Sequence, residues 1–483
     1  MRSPLSLLVP ALALLLAGCD AAGDDQGPIV SEADRAFGAE QHPQLLAEFG
    51  GPYQAEESAY VARLGGKMAD AAGLDGQCTF TLVNSDVVNA FAVPGCFIYV
   101  TRGLMSIVNS EAELASVLAH EIGHITGRHV QRQQNRSIWR GLGVLAVGIL
   151  TGSDRLTRIA GEAATYFTLR YSRKSEYEAD DRGLSYLIEA GYDPYAASDM
   201  LNAIGRQEEF LARTRGQDEA RSIPEWGRTH PLTQNRIERA RDEARKTGVA
   251  EDELPENEAA YLKELDGLLY GDDPAQGFVI GRRFAHPEMR IAFEAPPGFT
   301  LTNSPQAILI EGPDGLRGEF AGGPIPPGGL PAYADRVLSQ LLKETAADPG
   351  EPRYSTVNGL PTLFLPVMVQ TPDGPVALSL AIYDAGDGHA YHFILISGPS
   401  TPPAAATDAL FRSFRILSET EARSLRPRFI NIVRAGPGDT VRSLAARMAS
   451  ENKLARFLML NGRAEDDPVK PGERLKIVAY SAR

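Results

Sequence analysis

The stretch AHEIGH at residues 119–124 contains two histidines four residues apart, with a glutamate directly after the first. It follows SEAELASVL, in which Ser110 has the pattern of a helix N-cap, with a glutamate three residues later and then an apolar run. The stretch is therefore predicted to lie on a helix. Residues four apart share one face of a helix, so the imidazoles of His120 and His124 can reach a single metal ion. Glu121 follows the first histidine and can reach a metal-bound water.

Two histidines with this spacing also occur on core helices, where each imidazole hydrogen-bonds to its neighbours. A zinc site of this kind needs a third protein ligand. The run SRKSEYEADDRG at residues 172–183 offers one, because Glu176 and Asp180 share a helix face. Glu176 is the candidate third ligand, and Asp180 can hold a liganding imidazole from behind. A solvated acidic helix face is the alternative.

Together these motifs resemble the zinc metallopeptidases related to HtpX and to the CAAX prenyl proteases, peptidase family M48. The segment NAFAVPGCFIYVTRGL at residues 89–104 is similar to a family segment, with Cys96 where the family usually has a second glycine. The segment THPLTQNRI at residues 229–237 is similar to a second segment of this family. The resemblance covers residues 31–248. It implies a mainly α, zincin-like metallopeptidase domain with a small β-sheet and one Zn²⁺ per chain.

The resemblance also implies roles for single residues. Three side chains are expected to hold the zinc ion, namely His120, His124 and Glu176. Glu121 is then the general base and acid. His230 is expected to face the metal, as a plug in the open zinc position or as a group that positions the substrate carbonyl, and Arg236 to stabilise developing negative charge. A turn histidine before proline is the alternative for His230. His129 lies off the ligand face and is interpreted as structural.

The segment with Asn89 and Phe91 is implied by the resemblance to be an edge strand over the cleft. A peptide substrate can add to such an edge through main-chain hydrogen bonds. Phe91 can equally be a core aromatic. Cys78 and Cys96 both begin predicted strands, so they can form a disulfide in an oxidising compartment, and two buried free thiols are the alternative.

The chain begins with a predicted secretory signal peptide, residues 1–18, whose apolar stretch is too short to span a membrane. It ends in LAGC, which resembles a bacterial lipobox and implies cleavage before Cys19 and a diacylglycerol on its sulfur. That group would anchor the chain on the periplasmic side of the inner or outer membrane. An ordinary signal peptide is the alternative. Residues 19–30 are predicted to be a flexible tether, and the apolar residues 141–150 are too few for a membrane span.

The composition narrows the class of partner. A chain of 483 residues is expected to hold more than one domain, and 43% hydrophobic residues are ample for cores. The formal net charge of −14 argues against nucleic acid and against electrostatic docking to anionic lipid.

Three domains are predicted after the tether. Residues 31–274 form the metallopeptidase domain, and residues 275–420 form a strand-rich α+β domain without a recognisable catalytic motif. Residues 426–480 predict a βααβ order and, with GPGDTV at 436–441 and PGERLKI at 471–477, resemble a LysM module. Such modules bind N-acetylglucosamine glycans, so peptidoglycan is the implied partner. A degenerate module that serves only for contacts is the alternative.

The sequence thus predicts a zinc-dependent endopeptidase of the bacterial cell envelope that cleaves misfolded or unassembled envelope proteins. The alternative is a peptidoglycan-binding scaffold or chaperone whose peptidase site is latent because His230 fills the fourth zinc position. A cell-wall amidase is a third possibility, which the LysM resemblance suggests and the peptidase resemblance disfavours.

Overall fold

The structure, a computed structural model, describes residues 28–132, 171–214, 226, 230, 234–342, 345–371, 374–397 and 404–480. The predicted lipidation site Cys19 and the apolar residues 141–150 lie outside these ranges. Within the ranges, none of the helices combines the length and the apolar character needed to cross a membrane.

The N-terminal region is mainly helical and contains a small sheet, as expected. Its helices are α1 (Glu32–Glu48), α2 (Glu56–Ala71), α3 (Arg102–Ile107), α4 (Glu111–Thr126), α5 (His129–Arg132), α6 (Arg173–Glu189), α7 (Ala196–Thr214), α8 (Gln234–Lys246) and α9 (Glu258–Leu265). Its strands are β1 (Thr79–Val83), β2 (Ala90–Val93) and β3 (Phe97–Thr101), followed after α9 by β4 (Leu269–Tyr270). The sheet order is β1-β3-β2, so β2 forms one edge.

Helix α4 lies at the centre of this region. Ser110 caps it by accepting a hydrogen bond from the backbone N–H of Glu113 at 3.1 Å, as its sequence predicts. All side chains at 112–126 are buried, so the helix is surrounded by other elements. A Cβ atom on Gly123 would lie 2.7 Å from the carbonyl oxygen of Ala179 in α6. Glycine therefore permits the close approach of the two helices that carry the candidate ligands.

A disulfide joins Cys78 and Cys96 beside the small sheet. Cys96 has φ 62° and follows Gly95 at φ 90°. Glycine adopts this left-handed conformation without steric cost, whereas a residue with a side chain does not. The backbone at Cys96 therefore has a conformation that would suit glycine, and the cysteine side chain there forms the disulfide.

The next region is rich in antiparallel sheet. Its elements are β5 (Phe278–Ile280), β6 (Arg283–His286), β7 (Ile291–Glu294), β8 (Thr300–Asn303), β9 (Ile308–Glu311), β10 (Arg317–Pro324), α10 (Gly329–Leu342), β11 (Ala347–Pro349), β12 (Arg353–Val357), β13 (Leu360–Thr371), β14 (Gly374–Asp384), β15 (His389–Ser397), α11 (Ala404–Ser413), β16 (Arg415–Ile416) and α12 (Glu419–Ser424). The larger sheet has the order β11-β13-β14-β15-β10-β9-β8, with β12 beside β13, and the smaller one β16-β7-β6-β5. Separate apolar clusters fill this region, one of them beneath α10.

The C-terminal unit has the predicted βααβ order: β17 (Arg428–Arg434), α13 (Val441–Ala446), α14 (Lys453–Asn461) and β18 (Arg474–Ala479). Strand β17 pairs with β18 on one side and with β4 on the other, so the N-terminal region supplies the third strand of this sheet. The apolar side chains of the unit belong to the same core cluster as those around α4. The unit is thus packed into the N-terminal region.

A buried lysine reinforces that junction. The Lys476 ammonium in β18 donates hydrogen bonds to the carbonyl oxygens of Ser106 and Val108 at 2.8 and 2.9 Å, at the end of α3. Glu113, in the first turn of α4, accepts from the backbone N–H of Asn109 at 3.0 Å. Both charged side chains are buried. The C-terminal unit therefore holds the backbone that leads directly into α4.

Candidate metal centre

Side chains from separate segments converge on one point. They are His120 and His124 of α4, Glu176 of α6, and His230. One ligand atom from each lies within 4.8 Å of those from the others, and all of these residues are at most 2% exposed. The three side chains predicted to bind zinc are thus brought together, and His230 adds a fourth donor.

The spacing of the donors fits a single tetrahedral ion. Zinc bonds of about 2.0–2.1 Å place tetrahedral donors about 3.4 Å apart. The Nε2 atoms of His120 and His124 are 3.0 Å apart, and Nδ1 of His230 is 3.3 Å from His120 Nε2. Glu176 Oε1 lies 3.5 Å from His124 Nε2 and 3.0 Å from His230 Nδ1. Imidazole and carboxylate donors in this arrangement are those that Zn²⁺ prefers.

The residues behind the donors hold them in place. His120 Nδ1 lies 2.9 Å from Asp180 Oδ1, the contact predicted for Asp180. Arg236 donates from Nε and Nη2 to Asp180 at 2.8 and 2.7 Å, and its Nη1 is 2.7 Å from Glu176 Oε2. Burial by itself would raise the pKa of both carboxyl groups, but Arg236 and the nearby histidines hold each pKa below its usual value. Arg236 therefore stabilises the ionised carboxylates of Glu176, a candidate ligand, and of Asp180, which contacts His120.

Glu121 is buried beside the cluster. Its Oε1 is 3.6 Å from His230 Nε2 and accepts no hydrogen bond from the described part of the chain. Burial raises the pKa of this carboxyl to about 8, while His120 and the backbone N–H of Ala92 in β2 lower it. An unpartnered buried oxygen beside clustered metal donors indicates a missing partner.

Two aromatic rings that the sequence analysis did not single out cover the cluster. Tyr171 stacks on His124 with ring centroids 3.9 Å apart, and Trp226 stacks on His230 at 4.3 Å. Both rings are buried. Tyr171 immediately precedes the N-cap Ser172 of α6, a position where apolar residues are common, but that signal predicts helix packing and not a metal centre. The sequence around Trp226 contains no pattern that would predict its place beside the cluster.

The residues predicted to bind substrate lie at the sheet edge. Phe91 in β2 stacks on Tyr99 at 4.7 Å and contacts Phe49 at 4.8 Å, so it is packed as a core aromatic. Asn89, just before β2, is 1% exposed, and neither atom of its side-chain amide has a hydrogen-bond partner in the ranges described. A buried unpaired amide costs about 1–3 kcal/mol. Asn89 is therefore the better candidate for contact with a bound chain.

His129, interpreted from the sequence as structural because helical spacing would put it off the ligand face of α4, contacts the centre. Its Nδ1 lies 2.8 Å from Nδ1 of His124. The helix ends before His129, however, at Thr126, and Arg128 has φ 50°, so the chain turns back. Helical spacing therefore does not apply to this residue.

Comparison with known proteins agrees with the resemblance noted from the motifs. The chain is 33% identical over 195 residues to the beta-barrel assembly-enhancing protease of Yersinia pestis, covering 38% of each chain. It is 32% identical over 174 residues to the protein of that name from Escherichia coli strain K12, covering 34% of each. It is 36% identical over 125 residues to the mitochondrial metalloendopeptidase OMA1 of Arabidopsis thaliana, covering 26% of this chain and 25% of that one.

The match spans between a quarter and two fifths of the length of these relatives. The described part of the matching region contains all the candidate metal donors. Residues 55–244 match the family model of Peptidase family M48 and constitute an M48 peptidase domain within this chain.

Proposed function

We propose that the chain is a zinc-dependent endopeptidase of the bacterial cell envelope that hydrolyses unfolded or unassembled envelope proteins. The observation that carries this proposal is the buried set of donors at tetrahedral spacing with the unpartnered Oε1 atom of Glu121 beside it. The M48 domain and the metalloendopeptidase names of the relatives support it.

Each residue of the centre has a chemical task in this proposal. When bound, Zn²⁺ supplies a Lewis acid that polarises a peptide carbonyl and acidifies water. Glu121 accepts a proton and returns it to the leaving amine. Asp180 accepts the Nδ1 proton of His120, which directs the lone pair of Nε2 toward the other donors. Arg236 keeps the carboxylates of Glu176 and Asp180 ionised and aligned.

The proposed substrate is an extended polypeptide. Strand β2 forms the edge of its sheet, and the Ala92 N–H within it reaches the Glu121 carboxylate. A chain that adds to this edge would lie next to the metal donors, and its main chain could satisfy Asn89. Such recognition selects unfolded segments with little regard for sequence. The relatives' name, beta-barrel assembly-enhancing protease, suggests substrates among envelope proteins.

The centre is proposed to rest in a closed form. His230 supplies a fourth donor beside Glu176 and His120, and Trp226 stacks on its ring. If zinc binds to these residues, His230 would occupy the position that catalytic zinc sites keep open for water or substrate. This geometry favours His230 as a plug. It is also the observation that favours the second candidate function, a scaffold or chaperone with a latent peptidase site.

The location of the enzyme forms part of the same proposal. Lipidation at Cys19 would anchor the chain on the periplasmic side of one of the two membranes. The βααβ unit would bind peptidoglycan through loops such as those containing Gly438 and Gly472, where an added Cβ would meet no other atom within 4 Å.

Cleavage of casein and of an unfolded porin tests the proposal, with zinc content measured on the same samples. We expect Glu121→Gln to retain zinc and lose cleavage, and His230→Ala to cleave faster than the wild type. His389→Ala, at an exposed site in the sheet-rich region, is the control for histidine replacement. Undiminished cleavage by Glu121→Gln would refute the peptidase assignment. Full zinc content without cleavage in both the wild type and His230→Ala would favour the scaffold function instead.

A further inference from the structure

The acidic motif of α6 contains a third carboxylate, Glu178, to which the mechanism above assigns no task. Glu176 is a candidate ligand and Asp180 holds His120, whereas Glu178 lies between them on another side of the helix. Its carboxylate is 2.9 Å from Arg132 Nη2, 3.0 Å from Arg182 Nη2 and 3.4 Å from His129 Nε2. The arginines fix this carboxylate at the edge of the peptidase domain, facing His129.

His129 connects that carboxylate to the metal centre. The Nε2 atom of His124 faces the other donors, 3.0 Å from Nε2 of His120. Its Nδ1 atom lies 2.8 Å from Nδ1 of His129. If Nε2 of His124 is to bind a metal, the proton of that ring must sit on Nδ1 and be donated to an acceptor. His129 Nδ1 is that acceptor, so the proton of His129 sits on Nε2. This nitrogen forms no hydrogen bond within the described ranges, and Glu178 Oε2 lies 3.4 Å from it.

The turn after α4 is built to place this ring. Gly127 ends the helix, and a Cβ atom there would lie 2.6 Å from Nε2 of His129, so any larger residue would displace the imidazole. Arg128 has φ 50° and reverses the chain. The His129 side chain is thereby 1% exposed and packed edge-on against His124, with ring centroids 4.8 Å apart. The turn therefore converts a residue outside the helix into a direct neighbour of a candidate ligand.

We propose that His129 and Glu178 are positioning residues that fix the tautomer and orientation of His124 as a zinc ligand. Each liganding imidazole of α4 is then held by a carboxylate of α6, His120 directly by Asp180 and His124 through His129 by Glu178. This inference rests on the proposed function, because it assigns a task toward the zinc ion. It also explains why the carboxylates at Glu176, Glu178 and Asp180 alternate along one helix.

Zinc affinity tests the proposal without reference to cleavage. Loss of a residue that hydrogen-bonds to a metal ligand reduces metal affinity by about 10–100-fold. We expect a reduction of about that size for His129→Ala in a chelator competition assay. His129→Gln should restore most of the affinity, because its amide can accept from His124 and donate to Glu178. Glu178→Gln should cause a smaller loss than His129→Ala. The control is His286→Ala, which removes a buried histidine in the sheet-rich region.

A purely structural role predicts a different pattern. The thermal midpoint of the zinc-free protein would then fall by the same amount as that of the zinc-loaded protein, whereas loss of positioning reduces mainly the zinc-dependent increment. The visible spectrum of the Co²⁺-substituted protein should also change in His129→Ala and return toward wild type in His129→Gln.

Two results would overturn the proposal. The first is wild-type zinc affinity in His129→Ala, and the second is an equal loss of affinity in His129→Ala and His129→Gln. If His129→Ala does not fold, Glu178→Gln becomes the deciding variant. Wild-type zinc affinity and an unchanged cobalt spectrum in Glu178→Gln would then overturn the proposal. The same results in His129→Gln would not, because that variant is expected to retain both. Failure of the proposed function is a separate result, namely a wild-type protein that binds no zinc or cleaves no substrate.

Discussion

The sheet-rich region and the C-terminal unit are joined to the peptidase domain in different ways. The sheet-rich region buries its apolar side chains in clusters of its own and reaches the N-terminal region through polar contacts such as Gln306 to the carbonyl of Ala47 at 2.8 Å. The apolar side chains of the C-terminal unit share one core with α4. Strand β4 of the N-terminal region pairs with β17 in the sheet of this unit, and Lys476 is buried against the end of α3. A compact motif in the sequence therefore does not show that the segment folds independently. Whether it does depends on where its apolar face is buried, within the segment itself or against another domain.

The chain path adds to this contrast. Tyr270 in β4 pairs with Arg428 in β17, so the residues that enter and leave the sheet-rich region are neighbours. The intervening residues are thus inserted between two paired strands. Domain insertion is tolerated at such sites because the ends of the inserted segment are already close together.

The largest predicted effect is that of deleting the C-terminal unit. A chain that ends at residue 425 loses core side chains including Leu444, Phe457 and Leu460. Loss of one large core side chain costs about 2–5 kcal/mol, and whole domains are stable by about 5–15 kcal/mol. We expect the truncated chain to lack a cooperative unfolding transition and stoichiometric zinc.

The matched control removes the other region. Residues 273–426 are replaced by a Gly/Ser linker of about four residues, the length of a short hairpin connection. We expect this excised chain to unfold cooperatively and to bind zinc. Similar behaviour of the truncated and excised chains would contradict the distinction between the two attachments.

The next prediction concerns Lys476. Its replacement by Met leaves the carbonyls of Ser106 and Val108 without their buried donor, and each such group costs about 1–3 kcal/mol. We expect a loss of about 3 kcal/mol in unfolding free energy from urea titration. Lys470→Met, at an exposed position of the same unit, should change stability little. Equal effects for the two lysines would mean that the buried contact does not hold the unit in place.

The same lysine gives a pH dependence. Burial lowers the pKa of the Lys476 ammonium below its usual value of 10.5, while the neighbouring Glu113 carboxylate raises it. Where the unfolded chain binds a proton at this lysine that the folded chain does not, the wild-type stability from this group rises with pH. The rise is at most about 1.4 kcal/mol per pH unit. Lys476→Met lacks this rise, so the difference in unfolding free energy between the wild type and the variant should widen between pH 7 and pH 9. A constant gap would contradict the lowered pKa.

The smallest predicted effect lies away from both attachments. Cys78→Ser removes the disulfide, whose loop of 18 residues is worth about 3 kcal/mol. Cys96→Gly removes the same bond but relieves a left-handed backbone, which costs about 1–2 kcal/mol for a residue with a side chain. Cys96→Gly should therefore be the more stable variant, by about 1 kcal/mol. The loss in unfolding free energy caused by each of these two substitutions should be the same in the full chain and in the excised chain.

Much of the centre follows from the sequence because it depends on helical spacing. The N-cap at Ser110 sets the helix, and a repeat of 3.6 residues puts His120 and His124 on one face. Glu176 and Asp180 follow from the same spacing in α6. The family resemblance then supplied His230 and Arg236, which have no local signal of their own. The βααβ order of the C-terminal unit was also predictable, because each of its elements has a local pattern.

Other features depend on contacts between distant segments. The turn at Arg128 brings His129 back onto His124, and the packing of Tyr171 and Trp226 closes the centre. The sharing of one core by α4 and the C-terminal unit likewise brings together residues hundreds of positions apart, such as Ser106 and Lys476.

Local patterns in the chain account for which helices form and which chemical groups they carry, because hydrogen bonding within a helix and capping act over a few neighbouring residues. Which of these groups meet, which are buried away from water and which predicted domain shares its core with another depend on long-range packing. Those outcomes depend on how apolar surfaces from the whole chain pack together, and no local pattern records that packing.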